Sequence, residues 1–465
     1  AEIKLEQLKD GFIHGKMSVY ETLVSLLVEM GNPREAFNVA ERSRARNLID
    51  LLGNQRLTLK GAIEQERYDE QKRLASRIRE YEALVAQAKT EAERRTYEKG
   101  LARTTDAYTD LMLRIQAENP ELASLISVNP LDVKKIQSLI EPEVALLNFY
   151  VVPDQVLCWV VTPDSVTLHQ TPLGRTTLRE TVLQYRRRLQ NLEPVRDISK
   201  TLYTWLLSRV FSQLRTAKTV GIIPHDALHH LSMATLYDGR EYVADRFPLF
   251  YLPGASVLEY TLQRRKPDKN PRVLAIGNPD LKSPALELPF AEHEVASIGW
   301  NFPNITVLTG EKATENWVVR HIQDFGIVHM ASHGEFDPIN PLFSAIKLTK
   351  DPQDDGELNA AEIFGLRIQA DLVVLSACQT GLGKVTRGDD VIGLNRAFLY
   401  AGTHALISSL WRVSDISTAM LVKQFYRDYA TENKADSLKQ AISHVKNRFP
   451  HPGYWGAFVL VGDYR

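Results

Sequence analysis

Two residues that carry nucleophilic chemistry follow directly on apolar runs of the chain. His333 comes shortly after the run Ile327–Met330, and Cys378 comes shortly after Leu372–Leu375. If both runs are parallel strands of one sheet, their carboxyl ends bring an imidazole and a thiol to the same edge. A thiolate is a strong nucleophile, and a nearby imidazole activates it. The spacing therefore predicts a Cys-His dyad.

The residue after the histidine extends this arrangement. Gly334 has no side chain, so a substrate carbonyl can approach the backbone closely there. We expect the N–H of Gly334, together with the N–H of Cys378, to form an oxyanion hole. Hydrolysis of a peptide bond by a thiol requires these parts and neither a metal nor an organic cofactor. The pattern thus predicts a cysteine peptidase with no cofactor.

A cysteine also has a structural interpretation, because free thiols are among the most buried side chains. Cys158, between Leu157 and Trp159, fits that interpretation, and two cysteines are too few for a disulfide framework or a thiolate metal cage. Cys378 differs because His333 stands 45 positions upstream. This order and spacing are similar to those of caspases, whose cysteine signature follows the histidine by about 50 residues.

The elements that must position the dyad are short apolar runs alternating with helical segments. The runs are Val273–Ile276, Ile305–Leu308, Ile327–Met330, Leu372–Leu375, Ala405–Leu410 and Phe458–Val461. Such alternation predicts a mainly parallel sheet covered by helices on both faces. Upstream, Val144–Val152 and Val156–Val161 flank Pro153-Asp154 and predict a hairpin.

Before these strands the apolar residues follow a helical period. Tyr20, Leu23, Leu27 and Val28 are the predicted inward face of a first helix. Asn32 is expected to cap a second helix that begins at Pro33. The pair predicts one tetratricopeptide-like unit over residues 1–55. Residues 56–140, rich in both charges, are expected to form a long helical hairpin.

Composition limits the class of protein. The chain has 465 residues, 44% of them hydrophobic and 24% charged, which is typical of a folded protein with several structural units. A formal net charge of −1 argues against bulk binding of polyanions, so any nucleic acid would be contacted only indirectly. No apolar run reaches the roughly 18 residues that span a membrane. We expect a reducing, cytoplasmic location, and we expect a fragment or processed product because residue 1 is Ala.

Residues from about 140 to 465 resemble a CHAT domain, a caspase-like module found beside tetratricopeptide repeats and related to separase. The resemblance rests on Ile222-Ile223-Pro224, Val273–Pro279, Leu288–Glu292, His333-Gly334, Leu358–Ile363, Ser376–Gly381, Gly393–Phe398 and Tyr454–Phe458. It implies a caspase-type α/β sheet in which a non-catalytic half, residues 141–265, precedes a catalytic half, residues 266–465. It also implies His333 and Cys378 as the dyad of an endopeptidase.

Separase-like members recognise a basic side chain through an acid in a W-x-V-x-D motif. This chain has that motif at Trp411–Asp415, so the resemblance makes Asp415 the candidate substrate-pocket residue. Its carboxylate would pair with Arg or Lys. The alternative is that Asp415 caps a helix beginning near Ile416. Asp389 and Asp390 are alternative acids for the pocket.

The sequence thus predicts a regulated cysteine endopeptidase that cleaves a protein substrate after a basic residue. We expect an activating protein or ligand that contacts the N-terminal helical region to control the peptidase activity. The alternative is a catalytically silent, caspase-like scaffold that binds partners. His225 and His229 have the spacing of a zinc motif, but Pro224 and the strand before it argue against the long helix such a site requires, and we predict no metal.

Overall fold

The structure is a computed structural model, and it describes most of the chain. The described residues are 19–53, 70, 73–74, 77, 81, 84–85, 88, 90–118, 131–259, 270–335, 344–376, 378–379 and 390–465. None of the helices within these ranges is both long and apolar enough to cross a membrane.

Helices lie at the N-terminus and between the strands. In chain order they are α1 (19–29), α2 (Pro33–Gly53), α3 (Glu91–Glu118), α4 (Val133–Leu139), α5 (Arg175–Gln190), α6 (Arg196–Leu206), α7 (Val243–Arg246), α8 (Pro289–Ile298), α9 (Glu315–His321), α10 (Ala360–Phe364), α11 (Asp390–Tyr400), α12 (Asp415–Tyr429) and α13 (Lys434–Arg448). Helix α3 falls in the charged region that predicts a helical hairpin, and much of the segment before it lies outside the described residues.

The strands form one large sheet and one small sheet. In chain order they are β1 (Val144–Val151), β2 (Gln155–Val161), β3 (Val166–Pro172), β4 (Thr219–Ile223), β5 (Leu249–Tyr251), β6 (Val273–Pro279), β7 (Ile305–Gly310), β8 (Ile327–Ala331), β9 (His333–Glu335), β10 (Ala345–Lys347), β11 (Glu357–Asn359), β12 (Leu372–Leu375), β13 (Cys378–Gln379), β14 (Ala405–Ser409) and β15 (Phe458–Gly462). In the described residues the large sheet has 11 strands, in the order β3-β2-β1-β4-β5-β15-β14-β12-β8-β6-β7. The small sheet has the order β11-β10-β9-β13.

The predicted α/β fold with a mainly parallel sheet is confirmed. Strands β14, β12, β8, β6 and β7 are parallel neighbours, and so are β1, β4, β5 and β15. The predicted hairpin is the antiparallel pair β1–β2. Because β15 pairs in the antiparallel direction with β14, the two parallel sets run in opposite directions within one continuous sheet.

Alternate residues of the central strands belong to two separate cores. On β6, Val273 and Ala275 pack in the core that includes α8 and α12, whereas Leu274 and Ile276 pack in the core that includes α9 and α10. Helices therefore cover both faces, as a parallel sheet requires. Burying one valine, leucine or isoleucine side chain contributes about 1.5–3 kcal/mol to folding stability. The central strands are therefore held firmly in place.

The helix pair predicted at the N-terminus is present, with one correction to its packing. Helix α2 begins at Pro33, and the side chain of Asn32 accepts a hydrogen bond from the Glu35 N–H at 3.4 Å, as expected of a cap. The placement of Leu23 on the inward face is wrong, because Leu23 is 40% exposed and Val24 is fully buried. Helical spacing places Val24, rather than Leu23, above the buried Val28.

A buried polar network fixes α2 to β1. The guanidinium of Arg44 donates to Asn148 Oδ1 at 2.8 Å and forms an ion pair with Glu41. The other oxygen of Glu41 accepts the Ala255 N–H at 2.8 Å. Losing one member would leave a buried charge uncompensated, which is strongly destabilising. The network therefore ties the N-terminal helices to the predicted non-catalytic half.

Gly277 on β6 allows α8 to lie close to the sheet, and this generates a stability prediction. A Cβ at this position would be 2.7 Å from the Ala291 carbonyl oxygen and 2.9 Å from a Val295 methyl carbon. Gly277→Ala should therefore push α8 outward and lower the free energy of unfolding by about 1–3 kcal/mol, measured by urea denaturation.

Gly299→Ala, just after the same helix, is the matched control for Gly277→Ala. A Cβ at residue 299 meets nothing nearer than 3.4 Å, so we expect little change in the free energy of unfolding. Equal losses in the two variants would contradict the close packing of α8 on β6.

Candidate active site

The imidazole of His333 is held by a backbone carbonyl. Strand β8 ends at Ala331, and after Ser332 the chain enters β9 at His333. The Nε2 atom lies 2.8 Å from the Leu286 carbonyl oxygen. A carbonyl only accepts, so Nε2 donates this bond, and in the neutral imidazole Nδ1 is the nitrogen that has the lone pair. This tautomer allows His333 to take a proton through Nδ1.

The backbone of Cys378 lies beside that of His333. Strand β12 pairs in parallel with β8, with Leu375 opposite Met330. Beyond these strands, β13 pairs in parallel with β9, and Cys378 stands opposite His333. Neighbouring strands are about 4.8 Å apart, so residues far apart in sequence become direct backbone neighbours. The predicted juxtaposition is thus present in the backbone; the side chain of Cys378 lies outside the described part of the structure.

Gly334 lies in the interior of the small sheet. It is paired with Ile346 of β10 on one side and with Gln379 of β13 on the other. The backbone of Gly334 is thus ordered next to the dyad by strands on both sides. Its oxyanion role, shared with Cys378, stays a prediction.

A cleft with an empty volume of about 520 Å³, including its open mouth, lies next to His333. Its charged side chains, apart from the imidazole, are Glu294, Arg412 and Asp415, and its remaining lining comes from α8, the ends of β8 and β12, and α12. The cleft therefore joins the carboxyl end of β8 to the segment that follows β14. The cleft thus lies beside the candidate dyad of His333 and Cys378.

Asp415 lies in this cleft, and the prediction that it caps a helix is wrong. Helix α12 begins at Asp415 itself, one residue before the expected start at Ile416, and Ser414 is the residue at the cap position. A carboxylate in the first turn is still favoured by the helix dipole. Asp415 is exposed and forms no hydrogen bond or ion pair with the described residues, so its carboxylate is available to a ligand.

The alternative acids lie outside the part of the structure whose side chains are described. Asp389 is outside the described residues. Asp390 is the first residue of α11, and its side chain also lies outside the described part. Among the described side chains, Asp415 is the candidate pocket acid that lines the cleft.

Glu294 is a buried acid of the cleft that the sequence interpretation missed. Its Oε1 accepts a hydrogen bond from His329 Nε2 at 2.8 Å, and the Tyr426 hydroxyl donates to His329 Nδ1 at 3.2 Å. Burial, with the charge of Glu294, raises the pKa of Tyr426 well above its ordinary value, so its hydroxyl stays a donor. A signal was present: Glu294 shares the helical face of Ala291 and Ile298, where an acid is unusual.

Arg412 is the second cleft residue that the sequence interpretation passed over. It stands within the W-x-V-x-D motif, is exposed, and lines the same cleft as Asp415. No ion pair joins Arg412 to Asp415 in the structure of the described residues. Among the described residues, the cleft thus has two carboxylates and one guanidinium besides the imidazole of His333.

The histidines with zinc-motif spacing, His225 and His229, are not arranged as on a zinc-binding helix. Asp226–His230 is a 3-10 helix, so His225 and His229 do not share one face of an α-helix. His225 Nδ1 accepts the Val151 N–H at 3.1 Å, and its ring stacks on Tyr150. Across the ranges that the structure describes, no three His, Cys, Asp or Glu side chains are grouped as a metal site would need.

The fold and site together define a class, the caspase-like α/β proteins in which a histidine and a cysteine follow adjacent parallel strands. Within that class, residues 196–463 match the CHAT domain, and the chain belongs to this family. The match covers the strands that carry His333 and Cys378 as well as β4 and β5 of the other half.

Curated relatives and solved structures agree with this assignment. The chain is 29% identical over 277 residues to human Tetratricopeptide repeat protein 28 and 28% identical to the mouse protein. These matches cover 48% of this chain and 11% of the relatives' length. Two structures of the Saccharomyces cerevisiae separase-securin complex also align with this chain, both at 10% sequence identity. One has a TM-score of 0.51 and covers 92% of this chain and 40% of its own. The other has a TM-score of 0.52 and covers 95% of this chain and 37% of its own. This similarity shows a shared fold.

The buried histidine His230 generates a prediction about acid stability. Burial and the neighbouring Arg186 lower the pKa of His230 to about 3, against about 6.5 for an unfolded chain. The folded state therefore binds fewer protons than the unfolded state between these values. Above about pH 6.5, His230 is neutral in both states and the free energy of unfolding is at its full value. As the pH falls towards about 3, the unfolded state takes up a proton that the folded state does not, and the free energy of unfolding has dropped by about 2 kcal/mol at about pH 5.

Replacing His230 should flatten this pH dependence. His230→Gln keeps an acceptor for the Arg186 guanidinium, which donates to His230 Nδ1 at 2.9 Å, and removes the titrating group. We expect urea unfolding of the variant to vary less between about pH 7 and about pH 5 than that of the wild type. His444→Gln, at an exposed position of α13, is the control and should keep the wild-type slope. An unchanged slope in His230→Gln would contradict the prediction.

Proposed function

We propose that the chain is a cysteine endopeptidase in which Cys378 and His333 form the catalytic dyad. The observation that carries the proposal is the parallel pairing of β13 with β9, in which Cys378 stands opposite His333. The orientation of the imidazole supports it, because the bond to Leu286 leaves Nδ1 as the basic nitrogen. The adjoining cleft supplies a place for the side chain of a substrate.

The proposed chemistry uses only protein groups. His333 Nδ1 takes the proton of the Cys378 thiol, and the thiolate attacks the peptide carbonyl. The imidazolium then gives the proton to the amine as the C–N bond breaks, and the acyl part of the substrate stays bound to the sulfur of Cys378 as a thioester. Water activated by the same imidazole hydrolyses that thioester and restores the thiol.

We propose that the enzyme cleaves after a basic residue. Two carboxylates, from Asp415 and Glu294, line the cleft against the single guanidinium of Arg412. A cationic side chain entering the cleft would pair with Asp415, whose carboxylate has no ion-pair partner in the described residues. Arg would be preferred over Lys where both of its donors reach the carboxylate.

The proposed activating partner would contact the N-terminal helical region. Helix α1 exposes an apolar stripe of Val19, Leu23, Leu26 and Met30, of which Val19 is 64% exposed and Met30 70% exposed. Residues at this spacing lie on one side of a helix, so the stripe is continuous. An apolar stripe of this kind supports docking of another helix, and the network around Arg44 would carry that contact to β1.

The experiment compares the wild type with Cys378→Ala and His333→Ala on fluorogenic peptides that carry Arg, Lys, Asp or Leu before the reporter. We expect the wild type to cleave the Arg peptide best and both variants to lose at least about a thousandfold in kcat/KM. A peptidyl-arginine acyloxymethyl ketone should label Cys378 in the wild type, and mass spectrometry identifies the modified residue.

The role of Asp415 is tested by replacing its carboxylate with an amide. Asp415→Asn should lower kcat/KM for the Arg peptide by about tenfold to a hundredfold while changing the Leu peptide little, because one charge-assisted pair is lost. Asp164→Asn removes an exposed acid of the β2–β3 turn and should change neither rate. A preference for Asp peptides that depends on Arg412 would overturn the basic specificity.

A folded wild type without peptidase activity would also distinguish between the hypotheses. A wild type that neither cleaves any peptide nor reacts with the ketone, while remaining folded, would contradict a peptidase that is active on its own. That result would favour either the caspase-like scaffold or a peptidase that requires the proposed activating partner.

A further inference from the structure

A second cavity, called here the junction cavity, lies where the two halves of the sheet meet. It has an empty volume of about 470 Å³, including its open side. One wall is formed by β5 and β15, and the opposite side by α11 and by the segment around Pro224 and His229. It shares no lining residue with the cleft beside His333, so it is a separate site.

Arg396 places an unpaired positive charge in this cavity. The residue is only 7% exposed, and its Nε is buried with no hydrogen-bond partner in the structure of the described residues. No described acid forms an ion pair with it. A buried cation without a counter-ion costs several kcal/mol of folding stability. An anion would offset that penalty.

Asn395, the residue before Arg396, adds an acceptor to the cavity. It is 8% exposed, and its Oδ1 is buried without a partner in the described residues. His229 also lines the cavity. Burial lowers the pKa of its imidazole well below the ordinary value, and the positive charge of Arg396 lowers this pKa further. His229 is therefore neutral at neutral pH and does not replace Arg396 as the cation.

The other walls of the junction cavity are apolar. They come from Leu252, Leu399, Leu410, Val459 and Val461, together with two prolines and the ring of Tyr251. A site of this composition resembles small-molecule sites in general, which are mostly apolar and have a few polar groups that fix orientation. Among the described lining residues, Arg396 and Asn395 are the two whose polar side-chain atoms are buried without a hydrogen-bond partner.

We propose that the junction cavity binds a small carboxylate that has an apolar body and an N–H group beside the acid. Arg396 pairs with the carboxylate, Asn395 Oδ1 accepts the N–H, and the apolar body lies against Leu399 and Val459. An N-acylated apolar amino acid and the C-terminal residue of a peptide share this chemistry. The site lies on α11, the helix that follows the Cys378 segment, and its occupancy does not depend on peptidase activity.

The test uses N-acetyl-L-leucine as the probe and the neutral N-acetyl-L-leucinamide as its matched control. Isothermal calorimetry and thermal unfolding of the full chain should show binding and a concentration-dependent rise in Tm for the acid alone. Arg396→Gln should weaken binding by about thirtyfold or more, because the buried charge pair is lost. Arg427→Gln, which removes an exposed guanidinium of α12, should bind like the wild type.

A second variant keeps the test decisive if Arg396→Gln does not fold. Asn395→Asp places a carboxylate of nearly the same shape in the cavity that Arg396 also lines. It should raise the Tm of the free protein and abolish the response to N-acetyl-L-leucine, because the protein then supplies the anion itself. No binding of the acid by the wild type, equal binding of the amide, or a lower Tm in Asn395→Asp would overturn the proposal.

The source of the ligand is distinguished by a longer probe. The peptide acetyl-Ala-Ala-Leu carries the same C-terminal residue with an extended chain. Binding equal to or tighter than that of N-acetyl-L-leucine identifies a peptide C-terminus as the occupant. Binding at least about tenfold weaker identifies a free acylated amino acid, because the extended chain then collides with the walls.

Discussion

The register between β8 and β12 is the constraint on which the candidate active site depends. Because Leu375 stands opposite Met330, the two strands end together, and the chain that leaves them forms β9 and β13 with Cys378 opposite His333. A slip of one residue would turn every side chain of the strand to the other face and separate the pair. The two cores on either side of the sheet prevent such a slip, since all eight residues paired in this register are buried, as is Ala331 at the end of β8.

One segment, from Leu286 to the end of α8, supports the site from the other side. The carbonyl of Leu286 holds the imidazole, and Glu294 on the helix places a carboxylate in the cleft wall, backed by His329 of β8. The close approach of this helix to β6 is possible because residue 277 has no side chain. A helix packed on a strand holds its side chains in place more precisely than a loop does. A group that transfers protons requires such precise placement.

The sequence was most informative where the information is local. Apolar runs and the glycine, proline and asparagine around residues 31–33 predict the strands and the first helix break, because periodicity and turn chemistry act over a few residues. The roles of Glu294 and Arg412 were missed because they depend on which elements meet across the sheet. The sequence also did not predict that the two parallel sets of strands run in opposite directions, because this is set by the antiparallel pairing of β15 with β14. The juxtaposition of the His333 and Cys378 backbones was predictable because the carboxyl ends of neighbouring parallel strands coincide.

The most direct test of the account is the rate at which iodoacetamide alkylates each cysteine as a function of pH, followed by mass spectrometry. Cys158 is the internal control, because it is buried and burial raises the pKa of its thiol. The account predicts that Cys378 reacts at about pH 6 far faster than an ordinary thiol and that His333→Ala removes this low-pH reactivity. A Cys378 that reacts like Cys158, or whose pH profile is the same with and without His333, would contradict the dyad.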